Sequence, residues 1–253
     1  DAQDVERCIR PNTALIVSTL SSNVNGTIMP VKDIGNIVLN EEIPFLLDAS
    51  QGAGVLNIDV EKLNVDILAF PGHKSLFGPQ GTGGLYVREG ISLQPLIEGG
   101  TGSVSESLNQ PEFLPDRFES GTLNTPGIVG LCEGVRFIKS EGIENIRKHK
   151  DKLISRLIEG LREIKGLRLY SIADNKKNSG IVALKSSKYD SVELCTILAS
   201  KYKIASRGGL HCAPLAHRSL GSSDCGLLRL SPGYFNTFEE IDYVLNALRE
   251  VQY

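Results

Sequence analysis

Phe70 to Gly84 read F-P-G-H-K-S-L-F-G-P-Q-G-T-G-G. The run Asp66–Phe70 leads into this stretch and Leu85–Val87 leads out of it. Lys74 is therefore expected on a turn directly after a buried strand. His73 precedes it, and Gly72, Gly78, Gly81, Gly83 and Gly84 crowd around it. Two readings fit. One is a reactive amine fixed by a strand, with glycine backbone open to close approach by a ligand. The other is a surface lysine on a glycine-rich hairpin. The stretch alone leaves both standing, and the rest of the chain bears on the choice.

Upstream, Ala14–Thr19 (A-L-I-V-S-T) is the first clear strand, ending in the polar turn S-S-N-V-N-G at 21–26. Pro30 opens a helix from Val31 to about Glu42, with Val31, Ile34, Ile37 and Val38 at helical spacing. Pro44 ends it, and Phe45–Leu47 is a short buried strand closing at Asp48. Strand, helix and strand in this order predict a largely parallel sheet with helical crossovers. Ligands of such sheets bind beyond the carboxyl ends of the strands. Asn23, Asp48 and Lys74 each follow a strand end, so all three are expected at one crevice.

Residues 99–117 carry no periodicity and are read as a long functional or mobile loop. Helices are expected at about 128–139 and 143–164, the second with a solvated basic face of Arg147, Lys148, Lys150, Lys152 and Arg156. Beyond it, short strands at 167–170, 181–184 and 227–231 alternate with helices at 191–202 and 238–251, the pattern of a smaller α+β domain. The expected division is residues 1–135 and 136–253, with the helix near 128–140 as connector.

The 253 residues are 41% apolar and 23% charged, with a net charge of −3, the composition of a soluble globular chain with room for a substantial core. No basic block suggests a nucleic-acid partner, and no apolar run approaches the ~20 residues of a membrane span. The polar start, Asp1–Arg10, lacks a signal-peptide layout. Five cysteines without C-x-x-C spacing argue against zinc and a disulfide framework and for the reducing cytoplasm.

Asp48 stands 26 residues before Lys74, and Gln51 three residues after Asp48. A carboxylate at a strand end keeps a pyridine nitrogen protonated. That ring is the electron sink of pyridoxal-phosphate chemistry, with a lysine as the other fixed point. An isolated aspartate at this place is otherwise a cap or turn residue.

The motifs L-L-D-A-S-Q (46–51), F-P-G-H-K-S-L-F-G-P-Q-G-T-G-G-L-Y-V (70–87), F-E-S-G-T-L-N-T-P-G-I (118–128), R-G-G-L-H-C-A-P (207–214) and L-L-R-L-S-P-G-Y-F-N-T-F-E-E-I-D (227–242) occur in order along essentially the whole chain. With them the sequence resembles the class V aminotransferase fold, and within it the cysteine desulfurases and selenocysteine lyases. The resemblance implies an α/β protein of the fold type I of pyridoxal-phosphate-dependent transferases. The chain would hold the C-terminal part of the large cofactor-binding domain and a small C-terminal domain.

It further implies a role for each matching position. Lys74 carries the Schiff-base amine and shuttles the substrate α-proton. Asp48 pairs with the pyridine nitrogen, Gln51 with the ring oxygen, and His73 with the phosphate. Asn23 contacts the ring or the substrate carboxylate. Gly121 and Thr122 reach the phosphate of a neighbouring subunit, hence a homodimer. Arg229 clamps the substrate carboxylate, assisted by Arg207.

Cys212 separates a desulfurase from an aminotransferase. Gly208, Gly209 and His211 suggest that it lies on an exposed loop. A thiolate there could attack the substrate sulfur, giving alanine and an enzyme persulfide, with Arg207 and His211 as local sources of positive field. The plainer reading of Cys212 is a buried, inert thiol. His211 is either an acid/base helper or a loop-packing residue, His149 and His217 are read as exposed, and Cys225 as structural. The sulfur acceptor is not identified, and cysteine and selenocysteine offer the same handles.

Two departures from the family pattern stand out. Pro71 replaces the phosphate-binding serine three residues before the lysine, so the phosphate cup must rely on His73, backbone N–H groups and Gly121–Thr122. The chain also begins late relative to the family. The alternatives are an enzyme of the same fold using Lys74 without Cys212 (an aminotransferase or epimerase) and a catalytically silent fragment.

Overall fold

The computed structural model describes residues 1–100 and 102–253; Thr101, inside the loop expected at 99–117, lies outside them. In chain order the first half comprises α1 (Ala2–Cys8), β1 (Ile16–Thr19), α2 (Val31–Asn40), β2 (Phe45–Asp48), β3 (Ile67–Pro71) and β4 (Gly83–Val87). The second half comprises α3 (Thr125–Glu141), α4 (Ile143–Arg162), β5 (Leu167–Leu169), β6 (Val182–Ser186), α5 (Ser191–Tyr202), α6 (Pro214–Leu220), β7 (Leu228–Leu230) and α7 (Phe238–Gln252).

The first sheet has the order β1-β2-β3-β4. β1, β2 and β3 are parallel, with Thr19, Asp48 and Ala69 in register at their carboxyl ends. β4 returns antiparallel, pairing Pro71 with Gly83, so the lysine turn is also a hairpin connection. α2 crosses between β1 and β2 and buries Val31, Ile34 and Val38 against Phe45 and Leu47. From β2 to β3 the chain passes through turns rather than a helix. α1 was not foreseen; a capping box at Asp1 starts it, and Ala2 and Val5 join the sheet's core. At the opposite end of the sheet, the buried Asp66 accepts from Phe45 N at 2.8 Å and pairs with Arg88 at 2.8 Å.

The second sheet is antiparallel, β5-β6-β7. Successive strand residues point to opposite faces. Val182, Leu184, Leu228 and Leu230 join Leu153, Leu157 and Leu161 of α4, Leu194 and Leu198 of α5, and Leu245 and Leu248 of α7 in the main core. Ala183 belongs instead to a second cluster with Leu227 and Val24. The turn after β1 thus docks on the other face of the small sheet. Ser21 Oγ donates to Ser179 Oγ at 2.5 Å, and Ser179 N to Gly26 O at 2.8 Å. α3 joins the two parts, and the expected 135/136 division falls inside it.

Several side chains expected in solvent are covered. Lys150 is only 8% exposed, packed against the backbone at Gly180, and burial lowers its pKa to about 8. Arg147 pairs with Asp151 at 3.0 Å and donates to the carbonyls of Asn175 and Asn178. The basic face of α4 is therefore partly a docking face for the 175–181 loop. His149 is half-buried against Tyr234 and bonded to Asn236 O. His217 is fully buried. Among the described residues, no helix is long and apolar enough to cross a membrane.

Candidate active site

Because β1, β2 and β3 are parallel, the segments that leave their carboxyl ends share one edge of the sheet. Asn23 follows β1, Asp48 ends β2 with Gln51 just beyond, and His73 and Lys74 follow β3. Asp48 Oδ1 accepts from Ser50 N at 2.8 Å, which fixes the carboxyl group. His73 and Lys74 are exposed. Among the described residues the Lys74 amine has no hydrogen-bond or ion-pair partner.

The lysine turn is held from both sides. Gly72 N donates to Thr82 O at 2.7 Å, Gly78 N to Gly72 O at 2.9 Å, and Phe77 N to Lys74 O at 3.1 Å. Those N–H groups are taken up inside the turn. Helix α3 lies against the turn so closely that a Cβ on Gly134 would stand 2.2 Å from Leu76 O. From the β2 side, a Cβ on Gly54 would stand 2.2 Å from Ser75 O. Glycine here serves helix and loop packing as much as access for a ligand. Phe77 adopts φ 59°, rare for a bulky residue, and its ring is clamped by Phe137 and Phe235.

The other candidates gather around β7. Arg207 and Arg229 face each other as an antiparallel bridged pair, N to O in both directions at 3.1 and 2.8 Å. Like charges placed directly opposite destabilise a sheet, and burial and then Arg207 lower the Arg229 pKa. Two neighbouring arginines, Arg229 half-buried and Arg207 exposed, suit a carboxylate. Arg229 Nη1 donates to Asn23 O at 2.7 Å, and Asn23 Nδ2 donates to His211 O at 2.7 Å. Asn23 therefore ties the sheet edge to the Cys212 loop, 188 residues away in sequence.

Cys212 is exposed, and Arg207 Nη2 donates to its Sγ at 3.3 Å. His211 and Cys212 both have left-handed backbones, φ 52° and 58°, which turn the thiol outward and the imidazole inward. The expectation of positive field from His211 is corrected here. Its ring is 2% exposed, and burial, then Arg229, His217 and Arg207, hold its pKa near 4. It is neutral at physiological pH, and Arg207 alone of the two supplies charge beside the thiol.

Gly121 and Thr122 lie exposed before α3, with Gly121 N bonded to Gly100 O at 2.7 Å; the single chain does not bring them to the lysine turn by any hydrogen bond among the described residues. Pro71 sits in the β3–β4 ladder. Sequence reading missed Ser21, Asn178 and Ser179, which join the two parts of the fold, and Ser222, which bonds His217; the N-S-G run at 178–180 was the available turn signal.

A parallel sheet with a lysine turn past β3 and an aspartate past β2, followed by a small antiparallel domain with two arginines, is the fold type I of pyridoxal-phosphate-dependent transferases, here incompletely spanned. The chain belongs to the class V aminotransferase family, which matches residues 1–244. It is 35% identical to a probable cysteine desulfurase of Methanothermobacter thermautotrophicus, over 99% of this chain and 64% of that protein. It is 34% identical to the cysteine desulfurase IscS of Methanosarcina thermophila, over 98% and 60%. Among solved structures, the apo cysteine desulfurase of Thermococcus onnurineus superposes with a TM-score of 0.91 at 35% identity, covering 99% of this chain and 62% of that one. The S-sulfonic acid form of Escherichia coli CsdA gives 0.90 at 26% identity, with the same coverage. The chain thus spans about three-fifths of the length of these relatives.

Proposed function

We propose that this chain carries the lysine and cysteine machinery of a pyridoxal-phosphate-dependent cysteine desulfurase, which converts L-cysteine to L-alanine and leaves a persulfide on Cys212. The supporting observation is the bonded chain Cys212–Arg207–Arg229–Asn23, which ties an exposed thiol and two arginines to the turn after β1, the strand paired with the one that ends at Asp48. The donor set there fits the cofactor. An unpaired amine and a fixed carboxylate stand at neighbouring strand ends, with Gln51 and His73 alongside. When bound, the cofactor supplies the electron sink that loosens bonds at the substrate α- and β-carbons.

The chain's own residues do the rest. Asp48 holds the pyridine nitrogen in its charged form, Gln51 bonds the ring oxygen, and His73 the phosphate, for which Pro71 offers neither hydroxyl nor N–H. Arg229, with Arg207, binds the substrate carboxylate; Asn23 orients it. Lys74 moves a proton at the α-carbon. Cys212 Sγ attacks the substrate sulfur as a thiolate, forming an S–S bond while the C–S bond breaks, and the carbon skeleton leaves as alanine after protonation. Arg207, whose Nη2 donates to Cys212 Sγ, is the charged group beside the attacking sulfur. A selenocysteine substrate would be handled by the same groups.

The same reading has residues 1–135 as the C-terminal part of a large domain and 136–253 as the small one. It has a homodimer in which Gly121 and Thr122 complete the partner's phosphate site; the exposed Leu123, Ile128 and Val129 beside them support a covered face. A protein sulfur acceptor takes the persulfide sulfur. Five free cysteines favour the reducing cytoplasm. The test is sulfide release from L-cysteine, with and without Cys212→Ala. Release that depends on Cys212 supports the proposal. Undiminished release, or transamination without it, points to an enzyme that uses Lys74 and Arg229 only.

A further inference from the structure

The fold holds a second histidine that the proposed chemistry does not use. His217, on the short helix α6, is fully buried. Its Nδ1 is bonded to Ser222 Oγ at 2.9 Å, and Ser222 N in turn donates to His217 O at 2.9 Å. The ring centre lies 5.5 Å from that of His211. Among the described residues, the two His211 nitrogens and His217 Nε2 are buried without a hydrogen-bond partner, and the two rings are tilted 43° to each other. Ala213, Ala216 and Leu220 pack this helix onto Val24, Ala183 and Leu227, the cluster under the Asn23 turn.

The segment that carries His211 and Cys212 is held on both sides by hydrogen bonds. Ala213 N donates to Leu210 O at 2.9 Å, Gly209 N to Ser191 Oγ at 3.0 Å, and Leu227 N to Gly209 O at 3.1 Å. His211 and Cys212 are consecutive left-handed residues other than glycine. Such backbone persists only where its surroundings over-determine it. The inward His211 ring lies beside the His217 ring, while its neighbour Cys212 is exposed.

We propose that His217 is a positioning residue for Cys212: locked by the Ser222 hydroxyl, its ring holds the His211 ring inside the fold and so keeps the Cys212 thiol turned outward against Arg207. The charged groups around the pair are Arg229 on β7 and Arg207 on the bridging segment. Both disfavour a proton on His211, which keeps the inward ring uncharged. The inference rests on the reading of Cys212 as the nucleophile.

Alkylation of the whole chain by iodoacetamide at pH 7, followed site by site with peptide mass spectrometry, tests it without cofactor or substrate. Cys8 and Cys132, both exposed, serve as internal references. Wild-type Cys212 should react faster than either. His217→Phe keeps a ring but loses the lock. It should lower the ratio of the Cys212 rate to the reference rates about tenfold, the scale of one charge-assisted hydrogen bond. Ser222→Ala, which leaves the histidine in place, should lower the ratio in the same sense, and it decides the matter if His217→Phe does not fold. In an Arg207→Ala background neither change should lower the ratio further, a non-additivity that general loosening would not produce. A wild-type Cys212 no faster than the references refutes the nucleophile reading itself. A fast Cys212 that both variants leave unchanged, or an effect that persists without Arg207, refutes the positioning role alone.

Discussion

Replacing Gly134 with alanine tests how the lysine turn is held. Gly134 lies inside α3, and a Cβ there would meet Leu76 O at 2.2 Å, Phe77 C at 3.0 Å and Phe77 O at 3.2 Å. All three are backbone atoms, so no side chain can swing aside, and helix and turn must separate by about 1 Å. Overpacking of this kind costs roughly 3 kcal/mol, while the gain in helix propensity from glycine to alanine returns about 1 kcal/mol. The net loss of about 2 kcal/mol corresponds to a Tm lower by roughly 4–8 °C for a chain of this size. Gly130→Ala is the matched control. It lies in the same helix and has the same propensity gain, but its Cβ would meet only Pro79 ring atoms at 3.1 Å, so its Tm should stay within about 2 °C of wild type. Thermal unfolding followed by circular dichroism measures both. A Gly134→Ala protein that melts at or above Gly130→Ala would refute the claim that α3 holds the Lys74 turn by direct backbone contact.

Two further outcomes follow from buried polar groups. Asp66→Ala removes the acceptor for Phe45 N and the Arg88 partner at the far end of the first sheet, and should cost about 2–3 kcal/mol in denaturant unfolding; Asp66→Asn, which keeps an acceptor, should lose less than half as much. His211, whose native pKa lies near 4, stays neutral where the unfolded chain takes up a proton. Stability relative to His211→Phe should therefore be full above about pH 6.5 and fall as pH drops from there toward 4, by at most about 1.4 kcal/mol per pH unit. A difference between the two proteins that does not vary over that range would show that the imidazole is not held neutral.

Local signals carried much of the fold. The strand before Lys74 was legible because an apolar run meets Gly72 with no helical spacing, and α2 because Val31, Ile34 and Val38 recur at helical spacing after Pro30. The family motifs marked the candidate residues in the sequence. What could not be read locally was covered by distant chain. Lys150 falls on the polar side of α4 by spacing, yet the 178–181 loop closes over it. α6, seven residues long, is too short to show a period, and its Ala216 and Leu220 pack against Val24 and Ala183, far away in sequence, while His217 is fully buried. His211 looked like a charge beside Cys212. Two consecutive left-handed residues reverse that, and at Cys212 the residue type gives no signal of such a backbone. The glycines of the lysine turn read as room for a ligand, whereas Gly134 and Gly54 show that close packing by α3 and the β2 loop sets much of the local geometry.

The most direct measurement of the central claim is borohydride reduction of the chain in the presence of pyridoxal 5'-phosphate, followed by peptide mapping. Lys74 is expected to carry the phosphopyridoxyl label, and Lys74→Ala to abolish it without shifting label to other lysines. A folded chain whose label is spread evenly over its exposed lysines, or is missing from Lys74, would contradict the account.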